Sequence, residues 1–232
     1  MALKQNSKPY KCEYCGTSYS KESTLLVHVC EKKRRALQRD EKRVQTGFYA
    51  FNQFYKLGTG AMVQKTYEQF CKSPYYNAFV KFGSFVTNVR PLYPEKYIDY
   101  VVTSGIKIDK WCDESIYEKY AVDLIKKEDV TVALERSIKT MVEWSEENQP
   151  AVWHHYFNYV NLNRAVYHIK DGKISPWMIL NSDSGKKMMA KFNEEQLSVV
   201  YEIMDPAHWG KVFKNKPTDL ELAKNIIKEC KL

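Results

Sequence analysis

Residues 10–30 read YKCEYCGTSYSKESTLLVHVC, and this stretch organises the reading of the chain. Cys12 and Cys15 form a C-x2-C pair, His28 follows after twelve residues, and Cys30 follows after one more. Three thiols and an imidazole are the donor types that a tetrahedral zinc ion takes. A C-x2-C pair fits a tight hairpin that turns both sulfurs toward one ion. Gly16, directly after it, permits a turn with positive φ. Lys21 to His28 reads as a short helix carrying the third ligand.

The stretch resembles a two-cysteine, two-histidine zinc finger. Tyr10 stands two before the first Cys, Tyr19 four after the second (where the family usually has Phe), Leu25 six further on, and His28 three after that. The resemblance implies a small ββα unit with Tyr19 and Leu25 as its apolar core. It covers about 21 of the 232 residues. It breaks at the fourth ligand, because Lys32, Lys33 and Arg34 occupy the positions of the family's second His. Cys30 is the local substitute. The rival reading draws the fourth ligand from elsewhere or leaves the position open. Residues two apart on a helix point about 200° apart. His28 and Cys30 can therefore share an ion only if the helix ends or unwinds at Val29, and a break is predicted there. The expected cofactor is Zn2+, held by Cys12, Cys15, His28 and Cys30. The resemblance also implies base-facing positions at Lys21, Ser23, Thr24 and Val27. That is a weak specificity set.

Charge is placed unevenly. The net charge is +8. Residues 1–43 hold eleven Lys or Arg against five acidic residues, a surplus of six, while the other 189 residues carry a surplus of two. Residues 31–46, EKKRRALQRDEKRVQT, contain strong helix formers and no Gly or Pro. They read as a solvated basic helix running on from the finger. Lys32, Lys33, Arg34, Arg35, Arg39, Lys42 and Arg43 are its candidate phosphate contacts. A charged linker helix without a ligand is the plainer reading. The field favours an anionic partner, DNA or RNA, at the N-terminal end.

A hydrophobic fraction of 44% and an aromatic fraction of 14% supply a core and exclude a disordered chain. No apolar run approaches the roughly 20 residues of a membrane span, and the N-terminus lacks the apolar segment of a signal peptide. The expected setting is an intracellular, reducing compartment. Cys71, Cys112 and Cys230 read as free thiols.

The expected fold class is mainly α: a small ββα zinc finger plus a basic helix, followed by a helical domain containing one β-hairpin. The expected segments are a flexible terminus (1–9), the finger (10–30), the basic helical linker (31–46) and a mostly helical domain (47–232). Helical stripes run through FYAFNQFYKL, ended by the glycines at 58 and 60. They continue through Thr66–Lys72, through a segment capped by Ser73 and Pro74 as far as Pro91, and from Pro94 to Gly105. Further helices are expected over Asp113–Lys127, over the stretch from Asp129 or Thr131 to Glu147, from Pro150 through Val160, and over Asn193–Met204. A short one should start at Asp205-Pro206, and a last one should carry a capping box of Thr218 and Glu221. Residues 165–180, AVYHIKDGKISPWMIL, alternate around Asp171-Gly172 and read as a β-hairpin.

The aromatic density after Phe48 offers a base-stacking surface or, at its helical spacing, a core. Core is the stronger reading. SDSGKK at 182–187 lacks the full phosphate-loop pattern. Lys186 and Lys187 stand at a helix start, where an anion or simply a solvated cap is expected. His154, His155, His168 and His208 have no spacing that demands catalysis, and no catalytic residue is assigned. Sequence therefore favours a nucleic-acid-binding accessory protein for replication, transcription or repair. The first alternative is a protein–protein adaptor, with the helical domain docking a partner. The second is an enzyme acting on nucleic acid.

Overall fold

The computed structural model describes residues 10–60 and 62–232, so the expectation for residues 1–9 lies outside the described residues. The described part is mainly helical with one small sheet. Residues up to Ile116 form one compact unit and Tyr117–Leu232 a second. No described helix is long and apolar enough to cross a membrane.

The first unit opens with strands β1 (Tyr10–Lys11) and β2 (Ser18–Tyr19), paired antiparallel with Tyr10 opposite Tyr19. Gly16 takes φ +78° in the connecting turn. Helix α1 (Glu22–Val27) follows, then α2 (Glu31–Leu37) and α3 (Lys42–Thr59). The single basic helix expected over 31–46 is thus two helices with a turn at Gln38–Glu41. No Gly or Pro breaks it. Arg35 on α2 is held by residues of the next helices, whereas Val44, Gly47 and Ala50 on α3 are buried against another. One straight rod cannot satisfy both attachments.

Helix α3 runs to the left-handed cap at Gly60, as its stripe predicts. Helix α4 (Tyr67–Lys72) has a full capping box from Thr66 and Gln69. Helix α5 (Tyr76–Val89) starts later than the Ser73–Pro74 signal suggests, because the Ser73 hydroxyl accepts from the Tyr75 N–H and spends that turn before the helix begins. Helix α6 (Pro94–Thr103) completes the unit, with a 3-10 turn at Ile108–Lys110. The aromatics of these helices are core. Phe51, Phe70, Tyr76, Phe79 and Phe82 are buried, with ring centroids 5.0 Å apart for Phe51–Phe70 and 4.7 Å for Phe70–Tyr76. The α3–α5 approach is close. A Cβ on Gly83 would lie 2.0 Å from the Arg43 carbonyl oxygen.

Helix α7 spans Glu114–Lys127, and α8 (Val130–Glu147) is capped by Asp129. The helix expected from Pro150 is a 3-10 turn at Trp153–His155 and the four-residue α9 (Tyr156–Tyr159).

The expected hairpin at 165–180 is absent. Its place is taken by α10 (Leu162–Lys170) and α11 (Pro176–Asn181). Ala165, Val166, His168 and Ile169 are buried at i, i+1, i+3 and i+4, which is a helical stripe. Gly172 (φ +69°) does turn the chain, but it closes a helix, with its N–H on the Ile169 carbonyl. Residues 174–179 are buried at every position, so no periodicity marked them as helix. Ser175 caps this segment and Pro176 opens it.

Helix α12 (Asp183–Met189) is capped by Ser182, α13 (Glu194–Met204) by an Asn193–Gln196 box, and α14 (Pro206–Asn215) by Asp205. Helix α15 (Pro217–Glu229) starts one residue before the expected capping box. Pro217 fixes the first helical position, so Thr218 falls inside the helix and makes no cap. Trp177, Trp209 and the buried Ile, Met and Phe of α8–α15 form the core of this unit.

Candidate metal centre

Cys12 and Cys15 lie on the turn between β1 and β2. The Cys12 N–H donates to the Thr17 carbonyl at 2.9 Å, and the Gly16 N–H donates to the Cys12 carbonyl at 2.8 Å, which closes the turn around the two sulfurs. Helix α1 stops at Val27, and His28 leaves it with φ −72° and ψ 119°. The break expected at Val29 is therefore present from His28 onward. It frees the next residues from the helical rotation and lets Cys30 return to the side that His28 faces.

The four donor atoms of Cys12, Cys15, His28 and Cys30 all lie within 4.8 Å of one another. The sulfurs of Cys12 and Cys30 are 4.0 Å apart, and Cys15 Sγ is 3.3 Å from His28 Nε2. This Cys3His group can hold a metal ion. It is the cluster of this kind found among the described residues.

The surroundings orient the donors. Nδ1 of His28 is 2.8 Å from the Tyr19 hydroxyl, which leaves Nε2 for the sulfurs. Cys15 Sγ is 3.2 Å from the Thr17 hydroxyl, and this bond above all lowers the Cys15 thiol to about 6. Cys30 Sγ accepts the Lys33 N–H at 3.3 Å and so caps α2, while desolvation pushes its thiol up. Leu25, expected in the apolar core of the finger, is half-buried. The three remaining cysteines are free and lie elsewhere.

The candidate nucleic-acid residues divide into two groups. Lys21, Ser23, Thr24 and Val27 are all exposed; Ser23 and Val27 lie on the side of α1 opposite Leu25, with Thr24 about 100° from it. Lys32, Arg34 and Lys42 are exposed and have no partner among the described residues. The others are engaged. Lys33 Nζ donates to the His28 carbonyl at 3.3 Å, Arg43 pairs with Glu41 at 2.7 Å, and Arg39 lies 5.3 Å over the Tyr67 ring. Arg35 is drawn inward, where its guanidinium donates to the Cys71 carbonyl and covers the Tyr76 ring. Sequence reasoning missed this. The signal was one Arg at helical spacing from Glu31, within an otherwise uniform basic run.

The four other histidines do not form one group. His168 is on a helix, not in a strand. It is buried, with Nδ1 2.7 Å from the Tyr156 hydroxyl, and burial lowers it to about 4. His154 and His155 pack edge to face, with centroids 4.4 Å apart. Lys186 stands 3.9 Å from Asp183 within a capped, seven-residue helix, which is the solvated-cap reading of SDSGKK.

Comparison with protein-family models, with curated proteins and with solved structures finds no match for this chain.

Proposed function

We propose that residues 10–30 form a structural zinc module and that it presents the N-terminal basic surface to the phosphate backbone of a nucleic acid. The observation that carries the zinc assignment is the donor set and its spacing. A tetrahedral zinc ion with bonds of about 2.0–2.3 Å sets its ligands roughly 3.3–3.8 Å apart. The 3.3 Å and 4.0 Å separations lie near that range, and all four donors lie within 4.8 Å of one another. Thiolates and a neutral imidazole favour zinc over calcium or magnesium, which take oxygen ligands.

Around this module Lys21, Lys32, Arg34 and Lys42 are cations without a protein partner among the described residues, free to replace condensed counterions on a phosphate backbone. Ser23, Thr24 and Val27 extend the exposed face of α1. The test is titration of the full chain against labelled duplex DNA, single-stranded DNA and RNA at two salt concentrations, with and without zinc. If all four cations contact duplex phosphates, log K should fall against log salt with a slope of about 3.6. Replacing Lys32 and Arg34 together by Ala should reduce that slope by about 1.8. Binding that is insensitive to salt and to these replacements overturns the reading.

A second reading has its own observation. Leu26, Val27 and Val29 are 72%, 78% and 64% exposed beside the metal cluster. Such a run suits a protein contact. An adaptor role is favoured if Leu26→Ser with Val29→Ser abolishes capture of a protein partner while nucleic-acid binding is absent.

A further inference from the structure

Cys30 belongs to two structures at once. It is the last donor of the metal cluster, and it caps α2 by accepting the Lys33 N–H. Helix α2 has seven residues, too few to be stable by itself. Its other attachment is Arg35, five residues on. Nη1 of Arg35 donates to the Cys71 carbonyl at 2.5 Å, its guanidinium carbon lies 4.2 Å above the Tyr76 ring, and Glu31 pairs with Nη2. The Tyr67 hydroxyl donates to the Arg35 carbonyl at 2.6 Å. The Arg35 side chain is only 14% exposed, whereas its neighbour Arg34 is exposed and unpartnered among the described residues.

We infer that Arg35 is a positioning residue for the metal centre: by fixing α2 to α4 and α5, it holds Cys30 where the ion requires its fourth ligand, the third thiolate. The inference rests on the zinc reading above. Two attachments at opposite ends of one short helix are thermodynamically linked. If docking of α2 raises metal affinity, metal binding must strengthen that docking by the same factor. Zinc would then consolidate the packing of α2 on the helical part of this unit, well beyond the 21-residue module.

The experiment is a competition titration of the full chain with Zn2+ against a chromophoric chelator. The proteins compared are wild type, Arg35→Ala, Arg34→Ala and Tyr67→Phe. The expected result is a loss of roughly tenfold in zinc affinity for Arg35→Ala, a smaller loss for Tyr67→Phe, and no change for Arg34→Ala. Arg34→Ala removes the same charge at the adjacent position, so it separates positioning from simple electrostatic attraction of the thiolates. Hydrogen exchange supplies the reciprocal readout, in which zinc should slow the amides of residues 67–76 in wild type and not in Arg35→Ala. Should Arg35→Ala fail to fold, Tyr67→Phe decides, since it keeps the ring and removes one bond. Wild-type affinity in the variant that folds, or equal losses in Arg34→Ala and Arg35→Ala, overturns the inference while leaving the zinc reading intact. Absence of zinc uptake by wild type overturns both.

Discussion

The hydroxyl of Tyr19 meets Nδ1 of His28 at 2.8 Å, across the gap from strand β2 to the end of α1. This contact fixes the imidazole so that Nε2 faces Cys15 Sγ. A ligating histidine whose second nitrogen is held in this way is oriented before the ion arrives. Tyr19→Phe keeps the ring and removes the bond. Zinc affinity should fall by about tenfold with the fold retained. Equal affinity in a chelator competition would show that the phenol packs without orienting.

Cys30 can be divided into its two roles by chemistry. A Ser hydroxyl caps a helix as well as a thiol does, but it is a poor zinc ligand. Cys30→Ser should therefore lose tenfold or more in zinc affinity while the start of α2 is kept. Cys30→Ala should lose both, with an added cost of about 1 kcal/mol in stability. Cys12→Ser should remove the metal, read as zinc per chain after purification without chelator. Retention of zinc by Cys12→Ser would refute the site.

Gly83 and Gly47 set how closely α3 and α5 approach. A Cβ at Gly83 would meet the Arg43 carbonyl oxygen at 2.0 Å and the Gly47 nitrogen at 2.7 Å, both backbone atoms that cannot swing aside. Gly83→Ala should cost about 3 kcal/mol or more in urea denaturation. Gly210, on α14, has open space around its Cβ position. Gly210→Ala should stabilise by roughly 0.5–1 kcal/mol. The same substitution should thus change sign between the two sites, and a similar effect at both would contradict the packing described.

His168 should make the second unit sensitive to acid. Burial lowers its pKa to about 4, with Lys173 and Arg164 adding to the shift and Glu147 opposing it. The unfolded imidazole titrates near 6.5. The folded value lies below the unfolded one, so this contribution to stability is complete above about pH 6.5 and is lost as pH falls toward 4. Between pH 7 and pH 5 the loss should be about 2 kcal/mol. Denaturation of wild type and His168→Gln at both pH values checks this. The variant should lose less on acidification than wild type by that amount, and parallel losses would remove His168 as the cause.

What the sequence determined by itself is local. The C-x2-C pair, Gly16 and the spacing to His28 and Cys30 identify the cluster, because four donors within 19 residues can converge through one turn and one short helix. The need for a helix break at Val29 followed from helical rotation alone. Strong periodicity located α3, α5, α6, α7, α8 and α13, and Asp205-Pro206 marked a cap that is made, whereas the caps expected at Ser73 and Thr218 are not the ones the helices use. Tertiary structure decided the remainder. Residues 174–179 are buried all round, so their helix left no period to read, and Asp171-Gly172 closes a helix where a hairpin turn fits equally well. By local propensity alone the basic run 31–46 reads as one helix. Only the pull of Cys71 and Tyr76 on Arg35, against the burial of Val44 and Gly47, divides it and turns one of its cations from the surface into a structural pin.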